Sequence, residues 1–576
     1  MAMTWRQSLD RLAPDLSGTL ARFPVAGTLT ALATAVFLAS INEFVPRSEQ
    51  TWMRLWFGLG TGAVLAVAGK LFAESRPEAR TTAIVLRVAL PLLAIGLWQI
   101  RSTQWTVPFA LPVIALLFLS VSPVLRIGTR DERRGLEDRF WWINHRAITT
   151  GVVAGAALAI VALGVLAIER SLDLLFGLRT AELFYQWVLP VAAMLLAPVY
   201  WLSTIPKPSD FAESDLTEPD FLSRAIGFLG QFVLTPLLLI YALILLAYGI
   251  QIVATRSFPV GVIGWLVLTF VVTGAANWLV LHPEFMRGRP PVSLFRRTWF
   301  WLTIIPIVLY ALAVFIRIDA YGLTNERMAL VAGGLWAGLL TLSFLIPRGG
   351  DIRLIPGLAA AVLLVFGFGP WNFDQLPRLD QMSRLRAALQ AADAGWSTAG
   401  AQSARSAIDY LTRSDDGQEM LAGLVAGAGL ELDAEPDDAT AIARLFEIPA
   451  AAAPERPGQR GRLVRADGPI DLSGTPILVA RVQFGDYKVT VQPGLDLSLR
   501  DGDLVVSAGE PDETTVPLAG WLSGQAGEEI TDPVIRFEHV GRAYVLVAEE
   551  VGLSARDGAG ERITFIDGSL FTDLKP

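Results

Sequence analysis

Apolar residues are concentrated in the first two thirds of the chain, where they form eleven runs that are each about long enough to cross a bilayer. A helix rises about 1.5 Å per residue, so roughly 20 apolar residues span the hydrocarbon core. The pattern predicts a mainly α-helical, multi-pass transmembrane bundle. The predicted spans are Phe23–Ile41, Leu55–Phe72, Ala83–Ile100, Val107–Leu125, Ile148–Ile168, Leu183–Leu202, Ile226–Ile252, Val260–Leu281, Trp299–Ile316, Met328–Ile346 and Leu354–Phe368.

The pattern changes after the last run, and the remaining chain has the composition of a soluble protein. From Leu379 to Phe446, apolar residues recur every three or four positions, which is typical of helices. Pro449–Gly461 shows no periodicity and is interpreted as a linker. Beyond it the period becomes two, which predicts a mainly-β domain, either an antiparallel sandwich or a small barrel. Its turn signals are Gly485-Asp486, Asp501-Gly502, Gly541 and Asp567-Gly568.

These patterns divide the chain into five parts. They are a cytoplasmic N-terminal segment (1–22), the transmembrane bundle (23–368), a helical extramembrane segment (369–448), the linker (449–461) and the β-rich soluble domain (462–576). Prolines lie within or near the ends of several spans, where each frees backbone groups that neighbours must satisfy. These prolines are Pro91, Pro108, Pro112, Pro190, Pro198, Pro236 and Pro306.

The distribution of positive charge predicts the orientation of the bundle. Lys and Arg number 19 in the N-terminal segment and the even-numbered connections, against 8 in the odd-numbered connections. Because short basic connections stay in the cytoplasm, we expect a cytoplasmic N-terminus in a bacterial inner membrane. Eleven crossings then place the C-terminal domain in the periplasm. Residues 378–576 carry 18 basic and 32 acidic residues, a net charge of −14, which argues against nucleic acid as a partner.

The sequence contains no catalytic, cofactor-binding or metal-binding signature. It has no cysteine, and its three histidines, His145, His282 and His539, lie far apart and lack partners at metal-ligand spacing. The acidic turns of the C-terminal domain lack the spacing of a calcium loop. We therefore expect no cofactor and no metal, and a role other than catalysis is favoured.

An arginine-rich segment precedes the fifth span and is a candidate contact for anionic lipid. Arg130, Arg133 and Arg134 lie shortly before Trp141 and Trp142. Arginines attract anionic headgroups on the cytoplasmic face, and indole rings favour the membrane interface. The alternative is that the segment only anchors the bundle, with the tryptophans in an aromatic belt.

The connection between the ninth and tenth spans is the second candidate site. Arg317, Tyr321, Thr324 and Arg327 lie within eleven residues, on the face where arginine is disfavoured. Thr324 is predicted to be the N-cap of the tenth span. We hypothesise that the two arginines bind an anionic ligand or the acidic C-terminal part of the chain. The alternative is that Arg327 pairs with Asp319 or Glu326 and only shapes the turn.

Three polar residues at the edges or in the middle of spans are further candidates. Glu43, Arg87 and Asn277 occupy positions where a charged or polar side chain costs free energy unless it is paired or solvated. Intramembrane polar residues are therefore functional candidates by default.

Several segments resemble a known bacterial membrane family. Arg139–Ala147 (RFWWINHRA), Tyr321–Arg327 (YGLTNER), Gly369–Leu385 (GPWNFDQLPRLDQMSRL) and Ala407–Leu411 (AIDYL) are similar to the family known as domain of unknown function 4153. The resemblance covers roughly residues 20 to 430 and leaves the final β domain unmatched. It implies an integral inner-membrane protein and supplies no catalytic residue.

Three classes of function remain open. The favoured one is an envelope or transport-related component whose outer domain binds an envelope protein or a glycan. A second is a membrane glycosyltransferase that uses a lipid-linked donor, with Glu43 or Glu49 as the acidic residue of its first outer loop. A third is a membrane sensor or scaffold.

Overall fold

The computed structural model describes most of the chain, whose residues fall into two compact units. Unit 1 lies within residues 1–390 and 406–446, and unit 2 lies within residues 391–405 and 447–576. The described residues are 16–44, 50–100, 105–126, 130–212, 221–255, 263–346, 350–369, 371–392, 395–430, 438–449, 460–463, 472, 475, 477–485, 489–492, 495–507, 513–523, 532–556 and 560–573. Most of the predicted linker, and Glu49, lie outside them.

The helices fall largely where the apolar runs predict them. In chain order they are α1 Leu16–Arg22, α2 Pro24–Ile41, α3 Gln50–Ser75, α4 Arg80–Trp98, α5 Thr106–Val124, α6 Arg130–Phe176, α7 Ala181–Thr204, α8 Phe221 to Thr255, α9 Ile263–Val280, α10 Glu284–Arg287, α11 Pro290–Leu302, α12 Ile304–Tyr321, α13 Asn325–Leu345, α14 Leu354–Phe368, α15 Gln375–Ala391, α16 Thr398–Leu411, α17 Asp415–Gly427 and α18 Ala439–Leu445.

The predicted membrane bundle is confirmed. Within the described part of the chain, nine helices are long and apolar enough to cross a membrane. Two shorter apolar helices, Gly264–Val280 and Leu354–Phe368, coincide with the predicted eighth and eleventh spans. Helix α6 differs from the prediction, because its 47 residues begin at Arg130 within what was expected to be a loop. At 1.5 Å per residue it is about 70 Å long, more than twice the hydrocarbon thickness.

Proline explains a recurring irregularity of the spans. At five positions within the described helices, the residue just before a proline donates its N–H to the carbonyl five residues earlier, which makes a short π-helical segment. A proline ring clashes with the carbonyl four residues back and lacks an N–H, so a wider turn before it keeps the carbonyls bonded. The prolines that follow these bonds are Pro91, Pro112, Pro190, Pro198 and Pro236.

Aromatic rings fill the largest core of unit 1. The Trp299 side chain of α11 is fully buried, and its ring centre lies 4.9 Å from that of Phe295 and 4.7 Å from that of Phe270. Gly274 of α9 packs against the same indole, and a Cβ built there would lie 1.7 Å from a ring atom. This close approach of two helices therefore requires glycine at position 274.

Contacts between loops group the helix ends of unit 1 into two opposite sets. The first set, here called the pocket end, contains residues 105–106, 317–325 and 372–374, which bond one another through Asp374 and Asn325. The arginine end contains Arg22, residues 130–147, residues 281–289 and residues 350–353, with bonds such as Asp138 to His282. This grouping agrees with helices that alternate in direction along the chain.

The C-terminal part of the chain in unit 2 is the predicted antiparallel β structure. A sheet of β1 Arg460–Leu463, β2 Ile477–Gly485, β7 Val534–His539, β8 Arg542–Arg556 and β9 Gly560–Thr572 shares one core with a second sheet. The second sheet contains β3 Val489–Gln492, β4 Leu495–Arg500, β5 Asp503–Ser507 and β6 Glu513–Val516, and α19 Ala519–Ser523 follows it.

Of the four predicted β turns, two are confirmed and one is wrong. The turns at Asp501-Gly502 and Gly541 join paired strands and have positive φ angles, as two-residue hairpins require. Asp486 of the predicted Gly485-Asp486 turn lies outside the described residues. Asp567-Gly568 lies inside β9, where a Cβ at Gly568 would lie 2.3 Å from the Val547 carbonyl oxygen of the neighbouring strand. Glycine there permits close strand contact rather than a turn.

Candidate functional site

The segment between α12 and α13 forms a tight turn that its own side chains close. Gly322 ends α12 with φ 75° and ψ 179°, a conformation that is essentially restricted to glycine. Thr324 is the N-cap of α13 and accepts a hydrogen bond from the Arg327 backbone N–H at 3.4 Å, as predicted. The Arg327 side chain donates to the carbonyl oxygens of Tyr321 and Gly322. Among the described residues it makes no ion pair with Asp319 or Glu326.

Helix α15 holds this turn through backbone groups. The Asp380 carboxylate accepts a hydrogen bond from the Leu323 N–H at 2.7 Å, and Gln381 donates to the Leu323 carbonyl at 2.8 Å. Arg384 donates to the Ile318 carbonyl at 2.8 Å. The C-terminal part of the chain thus contacts the turn, but these contacts leave the guanidinium group of Arg317 uninvolved.

Asp374 fixes the start of α5 beside the turn. Its two carboxylate oxygens accept hydrogen bonds from the N–H groups of Trp105 and Thr106, each at 2.9 Å. A helix N-terminus has unsatisfied N–H groups and a partial positive charge, so it stabilises this carboxylate. Asp374 is 4 % exposed and is therefore a buried anion that its neighbours already neutralise.

Tyr410 and Asn325 complete the polar wall. Asn325 donates to the Phe373 carbonyl at 2.9 Å, and the Tyr410 hydroxyl donates to the Asn325 side-chain oxygen. Burial raises the pKa of Tyr410 to about 12, and the charge of Asp374 adds to the effect. The phenol therefore remains a protonated donor at any physiological pH.

These groups enclose a polar cavity of about 370 Å³, here called the turn pocket. Arg317 and Arg327 contribute positive charge to it, and neither makes an ion pair with a described residue. The other two arginines in its wall are paired, Arg378 with Asp416 and Arg413 with Asp409. The residues that line it are Trp105, Trp265, Arg317, Thr324, Asn325, Glu326, Arg327, Leu330, Asp374, Arg378, Tyr410, Arg413 and Ser414.

Three of the four residues predicted for this site thus lie together in the wall of one cavity. Tyr321 does not line it. This residue is 60 % exposed, and its ring centre lies 5.6 Å from the Arg327 guanidinium. Asp374, Arg378 and Tyr410 were not singled out as candidates from the sequence. They are distant from the turn in sequence, and only the segments that resemble the family contain them.

A second cavity, here called the groove, follows the bundle lengthwise and has a volume of about 630 Å³. Apolar side chains of α5, α6, α8, α9, α13 and α14 form nearly all of its wall. On α5, Phe109, Val113, Leu117 and Ser120 face it at helical spacing, which is one face of that helix. Trp265 of α9 lines both the groove and the turn pocket.

Polar side chains close the groove at the arginine end. His145 Nε2 lies 2.8 Å from the Ser223 hydroxyl, and the His145 ring stacks on Trp141 at 4.6 Å. Asn144 donates to the Ser120 carbonyl at 3.0 Å. The groove therefore has a polar group at each end and an apolar wall between them.

The arginine end also contains a buried ionic cluster that the sequence pattern did not indicate. His282 Nε2 lies 2.8 Å from an Asp138 carboxylate oxygen, to which Arg287 donates at 3.1 Å. Burial lowers the pKa of His282 to about 4, although its bond to Asp138 opposes the shift. The imidazole is therefore neutral at pH 7. These residues lie about 150 positions apart, so periodicity could not pair them.

The remaining candidates line neither cavity. Asn277 is fully buried and donates to the Thr235 hydroxyl at 3.0 Å. Arg87 is half-buried in a π-helical segment of α4, and Glu43 is exposed with φ 60° after α2.

The residues predicted to contact anionic lipid differ in how exposed they are. Arg134 is exposed and lies 4.0 Å from Glu284, and Arg133 is half-buried. Trp141 and Trp142 are buried at 8 % and 5 % exposure, which does not fit an aromatic belt that faces lipid. The Arg130 side chain lies outside the described residues. Among the described residues, no cluster of His, Asp and Glu could hold a metal ion.

Comparison with known proteins adds one match. A family model described as Domain of unknown function (DUF4153) matches residues 63–411. No curated protein and no solved structure matches the chain. All four segments that carried the resemblance in the sequence contribute to the two cavities. The segment Arg139–Ala147 lines the groove through Trp141 and His145. The other three segments line the turn pocket, through Arg327, Asp374 and Tyr410 respectively.

Proposed function

The chain belongs to the DUF4153 family of unknown function, and we propose that it is a transport-related component of the bacterial cell envelope that binds an anionic group in the turn pocket. The ligand class is a phosphate or carboxylate. The many long apolar helices of the chain are those of an integral membrane protein.

The charge of the turn pocket is the observation that carries this proposal. Arg317 and Arg327 line the same cavity without a carboxylate partner among the described residues. Two like charges in a partly enclosed site repel each other, because the local dielectric is lower than that of water. A bound phosphate or carboxylate would remove this repulsion and form charge-assisted hydrogen bonds, for which the guanidinium fork is suited.

The proposed orientation places the turn pocket on the periplasmic face. Its support is the asymmetry of 19 against 8 basic residues between the two sets of connections. In that orientation the ligand enters from the periplasm, and the acidic C-terminal domain is also periplasmic. An envelope protein or a glycan is the proposed partner of that domain.

Titration calorimetry of the detergent-purified full chain with inorganic phosphate and with citrate tests the proposal. We expect at least one of them to bind, and Arg317→Gln to weaken that binding about tenfold, which corresponds to about 1.4 kcal/mol. Arg179→Gln is the matched control, since Arg179 is exposed on a loop and lines neither cavity. Absence of binding by the wild-type chain, or equal affinity in Arg317→Gln, would refute the proposal.

The alternatives gain less support from the geometry. Glu43, which motivated the glycosyltransferase hypothesis, is exposed after α2 and lies in neither cavity. A sensor or scaffold needs no cavity of either kind. The transport-related role is therefore the one that uses both described cavities.

A further inference from the structure

The length of the groove distinguishes it from a small-molecule pocket. Along α5 its wall extends from Phe109 to Ser120, which is about 17 Å at 1.5 Å per residue, and along α9 from Trp265 to Val280, about 22 Å. One leaflet of the hydrocarbon core is about 15 Å thick, half of the 30 Å total. The groove is therefore long enough to hold an extended acyl chain along the bundle.

The groove is also open at the side of the bundle. Val272 and Trp265 line it and are still 47 % and 53 % exposed. In a bilayer such side chains face lipid tails, which are as apolar as the groove wall. Because the wall between the two polar ends is apolar, it offers a chain no hydrogen bonds and can contact it only by packing.

The groove meets the turn pocket at one end. Trp265 belongs to both cavities, and the Trp105 ring of the turn pocket lies 5.3 Å from the Phe109 ring of the groove. An anionic group bound near Arg317 and a chain packed along α5 would therefore be adjacent. That combination of charge and apolar length is the chemistry of an anionic phospholipid.

We infer that the groove and the turn pocket together bind one anionic glycerophospholipid, with its phosphate in the turn pocket and its acyl chains in the groove. This inference rests on the proposed function and names the substrate class of the same site. Charge complementarity selects the headgroup, and the open apolar wall selects the chains.

The test compares three probes on the detergent-purified, delipidated full chain by native mass spectrometry and titration. They are dioleoyl phosphatidylglycerol, dioleoyl phosphatidylcholine, which has the same chains without net charge, and inorganic phosphate, which has no chains. We expect phosphatidylglycerol to bind at least tenfold more tightly than either of the others. Equal affinity for the two lipids would overturn the inference, since it would mean that the groove only takes up annular lipid.

A variant that fills the groove separates this inference from the proposed function. Val272→Trp should weaken phosphatidylglycerol binding at least fivefold and leave phosphate affinity unchanged. Val161→Trp is the matched control, because Val161 is 46 % exposed on α6 and does not line the groove. Ala276→Trp, at another exposed position of the groove wall, gives the same test if Val272→Trp does not fold.

The outcomes differ for the two claims. If phosphate binds through Arg317 but neither groove variant affects phosphatidylglycerol, the lipid inference is wrong and the proposed function stands. If neither phosphate, citrate nor phosphatidylglycerol binds, both are wrong. A native mass of two chains that the groove variants convert to one would show that a second copy occupies the groove, which also overturns the inference.

Discussion

At the scale of single residues, the buried histidine of the arginine end makes stability depend on pH. His282 is 1 % exposed, and burial lowers its pKa to about 4 from an ordinary value near 6.5. Between these values the unfolded chain binds a proton that the folded chain does not. The contribution of His282 to stability is therefore complete above pH 6.5 and falls as the pH decreases towards 4.

We predict that acidification destabilises the wild-type bundle more than it destabilises His282→Gln. A difference of about 2.5 pKa units corresponds to about 3 kcal/mol at most, and glutamine cannot be protonated. Thermal unfolding of the full chain in detergent at pH 7 and pH 5, followed by tryptophan fluorescence, measures the effect. The loss of apparent Tm between the two pH values should be smaller in the variant, and an equal loss would contradict the assignment of a neutral, buried imidazole.

At the scale of elements, the junction of α12, the turn and α15 depends on one glycine. Gly322 combines a positive φ with a ψ near 180°. A Cβ at this position would lie 2.6 Å from the Gln381 amide nitrogen and 2.7 Å from Arg384 Nε. Substitution would therefore both strain the turn and push away the two side chains that hold it against α15.

We predict that Gly322→Ala destabilises this junction by about 1–3 kcal/mol, the typical cost of such a backbone conformation. Hydrogen exchange of the full chain should become faster in residues 318–324 and in the first turns of α15. Gly338→Ala is the control, since a Cβ there would meet no atom within 4 Å and the residue lies inside α13. Unchanged exchange in Gly322→Ala would mean that the turn does not need the α15 contact.

Helices and caps could be predicted from the sequence where a single local pattern determines them. The eleven apolar runs correspond to helices, and Thr324 caps α13 as expected. Two predictions failed for the same reason. A sequence pattern shows the local preference of a segment but not which other segment packs against it. Gly568 has a turn signal but lies opposite a β bulge between Ala548 and Glu550. The charged segment from Arg130 looks like a loop but forms helix, and its residue Asp138 pairs with His282.

At the scale of the whole molecule, the proposed orientation makes a direct prediction. Reporter fusions after Arg134 and Arg289 should report the cytoplasm, and a fusion after Glu510 should report the periplasm, because basic connections stay inside. The expected signal is high periplasmic reporter activity at Glu510 alone. Cytoplasmic activity at Glu510, with the other two unchanged, would mean that Leu354–Phe368 does not cross the membrane.

The candidate site could be predicted only in part. The turn residues Arg317, Thr324 and Arg327 cluster in sequence, so their proximity needs no knowledge of the fold. Asp374 and Tyr410 reach the same cavity because α14 returns the chain to the pocket end and Tyr410 of α16 bonds to Asn325 at the start of α13. The rest of the site depends on which helix ends meet in the folded bundle. The charge and periodicity of the sequence contain no information about that.

The side chain of Trp265, which forms part of both cavities, has a consequence for how their occupants affect each other. The position of this indole therefore contributes to the shape of both cavities. If an acyl chain that contacts Trp265 alters the affinity for an anion by some factor, the anion must alter the affinity for that chain by the same factor, because the four states form a closed thermodynamic cycle. Headgroup and chain would then bind cooperatively, and their separate affinities would not simply add.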